Sequence, residues 1–272
     1  MKAKKLLSLA LVAVLSVGLV ACGAKKDSGK SQGDDKTIVV GATANPHAEI
    51  LNKVVKPLLE KDGYKLEVKV FNDYVLPNTA LLDNSLDANY YQHVPYLEEF
   101  NSKNKTDLTY TVKVHLEPMG AYSKKITKIA DLKDKAVIGV PNDPTNESRA
   151  LQLLAKEGLI KVADKKLLTK NDITENKKNI VIKEIGAEQL PTSLPDLDLA
   201  VINSNYAIEA KLNPTKDSIA IESSDSPYAN IIAVKKENKD SEKIKALSKA
   251  VTSPEVKKFI EDTYKGAIVA TF

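Results

Sequence analysis

Thr37-Ile38-Val39-Val40-Gly41-Ala42, then Ala48 to Lys61, then Leu66-Glu67-Val68-Lys69-Val70-Phe71: this stretch changes period twice, and that change decides the fold. The first six residues are small, apolar or β-branched, as in a buried strand. Between Ala48 and Lys61, residues Ile50, Leu51, Val54, Val55 and Leu58 recur at helical spacing. Leu66 to Phe71 then alternates apolar with polar, the period of a half-buried strand. Strand, helix and strand in that order point to an α/β architecture.

Downstream the alternation continues. Asn78 to Asn84 reads as a helix with Asn78 as its N-cap, and Tyr110 to Leu116 and Ala136 to Val140 read as strands. Thr145 to Leu159 is expected to be helical, with Gly158 near its end. Further strands are expected at Asn179 to Ile185, Leu197 to Ile202, Ser218 to Ile221 and Ile231 to Val234. Ser241 to Thr252 and Pro254 to Tyr264 close the chain as helices. These are too many strands for one small sheet, and the pattern restarts at Asp131-Leu132-Lys133. The expected body is therefore two α/β lobes with largely parallel sheets. Lobe 1 takes residues 37–122, lobe 2 takes 123–227, and 228–272 returns to lobe 1 with one strand and the closing helices.

Upstream of Thr37 the chain carries an address. Lys2, Lys4 and Lys5 precede an apolar run from Leu6 to Val20, and the run ends on Leu19-Val20-Ala21-Cys22. That is a lipoprotein signal peptide over residues 1–21, with Cys22 as the lipidation site. The run is shorter than the roughly 20 residues needed to span hydrocarbon. Cys22 is the only cysteine of 272 residues, so no intrachain disulfide can form. Gly23 to Asp35 has nothing more apolar than Ala24, so residues 22–36 read as a lipid-anchored flexible linker. The expected location is the cell membrane, lipid-anchored on its extracytoplasmic face. Three of the four net positive charges leave with the signal, which removes any nucleic-acid footprint and hence any nucleic-acid partner.

Catalytic motifs are missing from the sequence. It has no G-x-S-x-G elbow and no phosphate-binding G-x-x-x-x-G-K-[ST] loop, and its sole cysteine is committed to the anchor. His47, His93 and His115 show no metal-ligand spacing, although a three-His zinc site assembled by folding is one reading of them. The expectation is a protein without catalytic residues, metal or cofactor.

Four segments stand apart from scaffold. Phe71-Asn72-Asp73-Tyr74-Val75-Leu76-Pro77-Asn78 puts a tyrosine and several polar groups at a strand end, where α/β proteins bind ligands. Asp87 to Tyr96 gathers Tyr90, Tyr91, His93 and Tyr96, suited either to an amphipathic cage or to filling a core. Pro141 to Arg149 offers Asp143 as a helix cap, Pro144 at the first helical position and Arg149 in the second turn. Free N–H groups there would make an anion site. Arg149 is the only arginine in the chain, so either a carboxylate-binding fork or a buried structural ion pair accounts for it. The fourth comprises Val201 to Tyr206 and Ser226 to Asn230, which set Asn203 and Asn230 beside apolar strands. A carboxylate fork, amide acceptors and an aromatic cage together describe a site for a zwitterion with an apolar side chain.

These same strings, with Gly120-Ala121-Tyr122-Ser123 and Ala200-Val201-Ile202-Asn203, resemble the methionine-binding lipoproteins of the NlpA family, substrate-binding components of methionine ABC importers. The resemblance runs from about Thr37 to the C-terminus, and FNDYVLPN and PNDPTN are its most specific strings. It implies a two-lobed periplasmic-binding-protein-like fold with a ligand cleft between the lobes, closing by hinge motion. It implies L-methionine as ligand, with an ABC permease and its cytoplasmic ATPase as partners. Arg149, near Asn146, would then hold the ligand carboxylate, Asn203 and Asn230 the head group, and Tyr74, Tyr91, His93 and Tyr96 the thioether. The alternative ligands are another small apolar amino acid, D-methionine or a methionine-containing dipeptide. Two departures stand out: Tyr91 is commonly Phe in the family, and Asn45-Pro46-His47 replaces a common Gly-Pro-His. The second is a turn change that suits a left-handed Asn45.

Overall fold

Ile38, Val40 and Ala42 alternate along β1 (Thr37–Thr43) and are wholly buried, so the strand read first becomes the interior of a sheet. The computed structural model describes residues 36–223 and 225–272; the signal peptide, Cys22 and the linker as far as Asp35 lie outside the described residues. Parallel to β1 run β2 (Lys65–Phe71) on one side and β3 (Ala88–His93) on the other. β4 (Thr109–Leu116), the returning β12 (Ala229–Val234) and the short β13 (Val269–Ala270) complete this first sheet, in the order β13-β4-β12-β3-β1-β2.

The second sheet has the order β11-β5-β10-β6-β9, from β5 (Gly120–Tyr122), β6 (Val137–Pro141), β9 (Val181–Ile185), β10 (Leu199–Ile202) and β11 (Ala220–Ile221). A separate antiparallel pair joins β7 (Lys161–Val162) to β8 (Ile173–Glu175). The chain passes between the sheets at 117–119 and returns at 222–228. Strands joined through helices pair parallel, whereas β5, β11, β12 and β13 pair antiparallel, so both sheets are mixed rather than largely parallel. Gly120–Tyr122, assigned to lobe 1 by the sequence boundary at 122, hydrogen-bonds to β10 and β11 in the second sheet.

Helices cover both sheets. Between β1 and β2 the chain is helical from Pro46 to Lys61, with π turns at Ala44–Ala48, broken at Asn45, and at Leu51–Val55 before α1 (Lys56–Lys61). Ile50, Leu51, Val55 and Leu59 from this run bury against Ile38, Val40 and Ala42, each contributing roughly 1.5–3 kcal/mol. Asn45 is extended at φ −123° and not left-handed, and the Asn45–Pro46 bond is cis. α2 (Leu76–Leu82) begins two residues before Asn78, so Asn78 is no N-cap. Asp73 instead accepts from the backbone N–H groups of Val75 and Leu76. α3 (Val94–Asn104) starts directly after β3, where a tyrosine-rich cluster masked both elements in the sequence. α4 (Pro144–Lys156), α5 (Leu190–Ser193) and α6 (Ser204–Glu209) pack on the second sheet, and α7 (Glu242–Val251) and α8 (Pro254–Tyr264) on the first. In β6, Gly139 admits close packing: a Cβ there would meet Leu197 Cδ1 at 2.6 Å. Among the described residues no helix is long and apolar enough to cross a membrane.

Candidate ligand-binding site

A small cavity, with about 330 Å³ of empty space once its solvent-open mouth is counted, lies where β3, the 117–119 crossing, α4, the start of α6 and β12 converge. Tyr74, Tyr91, His93, Tyr96, Asn146, Arg149, Asn203 and Asn230, scattered over 157 positions of sequence, all line it.

One end is polar. Asp143 caps α4, accepting from the Asn146 N–H at 3.0 Å and from Asn146 Nδ2 at 2.9 Å. The carboxylate at this helix start is thus the protein's own, and the Asn146 N–H is not free for an external anion. Asn146 Oδ1 accepts from His93 Nε2 at 3.2 Å and from Asn203 Nδ2 at 3.0 Å, so its whole amide is spent on positioning neighbours. His93 Nδ1 accepts from the Tyr96 N–H at 3.1 Å, which fixes the proton on Nε2. Burial, with the Arg149 charge nearby, holds its pKa down at about 3, so the ring is neutral. Asn203 Oδ1 is buried and has no hydrogen-bond partner among the described residues.

Arg149 is 3% exposed. Its Nε donates to Glu222 Oε1 at 2.9 Å, Nη2 donates to Glu222 Oε2, and Nη2 also donates to the Glu117 carbonyl at 2.7 Å. The Tyr228 ring lies 4.4 Å from the guanidinium carbon. The side-on fork is thus a structural ion pair with Glu222, the second of the two sequence readings, and Nη1 makes no hydrogen bond to any other described residue.

Glu117 is buried on the same wall and was missed from sequence. Oε1 accepts from His115 Nε2 at 2.7 Å and lies 3.1 Å from His47 Nε2, while Oε2 accepts from the Asn205 N–H at 3.0 Å. Each imidazole is fixed in turn, His47 Nδ1 by Thr43 Oγ1 at 2.7 Å and His115 Nδ1 by the Tyr90 hydroxyl. His47 Nε2 also donates to Asn230 Oδ1 at 3.1 Å. Burial lowers His47 to about 4 and His115 to about 3, so both are neutral donors. It pushes the Glu117 carboxyl up, against the pull of His47, Arg149 and the Asn205 N–H. Among the described residues the donor atoms of His47, His115 and Glu117 lie within 4.8 Å of one another, a spacing that could hold a metal. Hydrogen bonds account for all of those atoms, and the third histidine turns away to Asn146.

The other end is aromatic. Tyr74 packs on Tyr91, Tyr96 and Tyr206 at centroid distances of 5.9, 6.1 and 5.0 Å. Tyr74 donates its hydroxyl to Asn205 Oδ1, Tyr96 to the Tyr74 carbonyl and Tyr206 to the Asn72 carbonyl. The Tyr74, Tyr206 and His93–Asn146 bonds bridge the two lobes, so this is a closed arrangement. Gln92 and Ser204 also line the cavity. Gln92 is braced by Asn78 and Asn89, which explains why Asn78 is buried. Tyr228 lies in the Ser226-to-Asn230 string, but its place over Arg149 and His93 comes only with the fold. Glu222 had no signal, because its partner is 73 residues away.

Comparisons with known proteins bear on the fold and the family. A family model described as NlpA lipoprotein matches residues 38–272. The methionine-binding lipoprotein MetQ of Bacillus subtilis is 45% identical, over 98% of each chain. The D-methionine-binding lipoprotein MetQ of Salmonella typhi is 42% identical, over 93% of each. A nutrient-binding protein from Burkholderia cenocepacia, solved bound to methionine, superimposes with a TM-score of 0.84 at 46% identity, covering 86% of this chain and 100% of that one. With a two-lobed α/β body and near-full-length identity to such relatives, the chain belongs to the NlpA lipoprotein family.

Proposed function

We propose that this chain is an extracytoplasmic substrate-binding lipoprotein, anchored through Cys22, that captures L-methionine and delivers it to an ABC permease and its cytoplasmic ATPase. One observation carries the proposal: Arg149, Glu117 and Asn203, whose Oδ1 is buried and unpartnered, line the same cavity as Tyr74, Tyr91 and Tyr96. The ligand carboxylate meets Arg149 Nη1, and the ammonium meets Asn203 Oδ1 and Glu117. The thioether lies among Tyr74, Tyr91, Tyr96 and His93, where sulfur–aromatic contacts favour it. The residues 37–122, 123–227 and 228–272 act as two lobes that open and shut at the crossings, with one adjustment: β5 moves with the second. The protein's work is binding and release; no catalytic step is assigned to any residue.

The relatives named for methionine support this ligand, and the Salmonella relative named for D-methionine favours D-methionine as the second reading. The test is calorimetric titration of residues 23–272, unfolded, dialysed and refolded to remove bound ligand. The panel is L-methionine, D-methionine, leucine and glycyl-methionine. One-to-one binding of L-methionine above the others is expected. A preference for D-methionine or the dipeptide keeps the receptor and changes its cargo, and silence across the panel overturns the proposal.

A further inference from the structure

We infer that the Tyr91 hydroxyl is a specificity element: it donates to a sulfur or oxygen acceptor on the ligand's side chain, so the cavity prefers amino acids carrying such an acceptor over their all-hydrocarbon analogues. The inference rests on the amino-acid reading of the same cavity. Of the four tyrosines at the aromatic end, Tyr74, Tyr96 and Tyr206 each spend the hydroxyl on the protein. Tyr91 does not. It is 4% exposed, it lines the cavity, and its hydroxyl oxygen is buried with no hydrogen-bond partner among the described residues.

Tyr74 and Tyr96 stand 5.9 and 6.0 Å from its ring, and their own hydroxyls point elsewhere. Burial keeps the phenol protonated, so it is a donor throughout the physiological range. A buried hydroxyl without a partner is costly, and a phenylalanine would fill the same space without that cost. The head group is held at the opposite end by Arg149 and Asn203, so the side chain is the part of the ligand that reaches Tyr91. A thioether sulfur accepts weakly, a sulfoxide oxygen strongly, and a methylene not at all.

The experiment titrates ligand-stripped protein and its Tyr91→Phe variant with L-methionine, L-norleucine and L-methionine sulfoxide. In the native protein the two acceptor-bearing ligands should outrank norleucine. In Tyr91→Phe the sulfoxide should weaken by about tenfold while norleucine tightens, so their ranking moves in opposite directions. An equal shift for all three ligands means that Tyr91 acts only through ring packing, and overturns the inference while leaving the amino-acid site intact. Failure of all three to bind the native protein overturns the amino-acid reading itself.

Discussion

The two ends of the cavity are built on different principles. At the polar end nearly every group is held by another: Arg149 by Glu222, Asn146 by Asp143, His93 by Tyr96, and Glu117 by two histidines. At the aromatic end rings lean on rings, and single hydroxyls tie them to an amide or to backbone carbonyls. Ring packing of this kind loses stability piecemeal when one member changes. A bonded network loses more, because removing one member strands its partners in a place without water.

Acid should expose the difference most strongly, since all three histidines brace the polar end. In the unfolded chain they take up protons near 6.5; folded, they resist until about 4 for His47 and about 3 for His93 and His115. Below 6.5 the unfolded state therefore binds more protons, and stability that is complete above that pH falls toward pH 4. Glu117, raised by burial, works in the opposite sense and offsets part of the loss. Urea unfolding at pH 7, 6 and 5 should show a loss of about 3–5 kcal/mol across the series. A flat profile would mean the histidines are not locked neutral.

Next in size is Arg149→Ala. It removes the carboxylate's partner and leaves Glu222 unpaired, so methionine binding should weaken by about 2–4 kcal/mol in calorimetry. Glu222→Gln keeps Arg149 but loosens its fork, for an expected loss of about 1–2 kcal/mol. Equal affinity in that variant would show that Arg149 needs no brace. The smallest effect belongs to the aromatic end. Tyr96→Phe forfeits one hydrogen bond to the Tyr74 carbonyl and keeps its ring contacts, so thermal unfolding and affinity should each change by no more than about 1 kcal/mol. A loss as large as that of Arg149→Ala would erase the distinction between the two ends.

Much of this was legible in the sequence because local signals carried it. β1, β2, β6 and α8 follow from period and capping alone, and Asp143 and Pro144 announce the start of α4. The missed elements had their signals covered. β3 and α3 lie under a tyrosine-rich string, where the Tyr90, Tyr91 and His93 side chains outweighed the alternation of the backbone. β5, β7, β8 and β13 are two or three residues long, too short for any period. At the site, residues of rare type were found: a lone arginine, clustered tyrosines, asparagines beside apolar strands. Glu117 and Glu222 were not, since one carboxylate among 36 acidic residues has no local mark, and only folding brings it to Arg149 and the histidines.

The central claim is that the polar end reads an amino-acid head group through Arg149. Its most direct test is a cycle of four titrations: ligand-stripped native protein and Arg149→Ala, each with L-methionine and with L-methioninamide, which lacks the carboxylate. Native protein should strongly prefer methionine, and Arg149→Ala should lose most of that preference, because the charge that distinguishes the two ligands has lost its partner. An undiminished preference in Arg149→Ala would contradict the account and reduce Arg149 to the structural partner of Glu222.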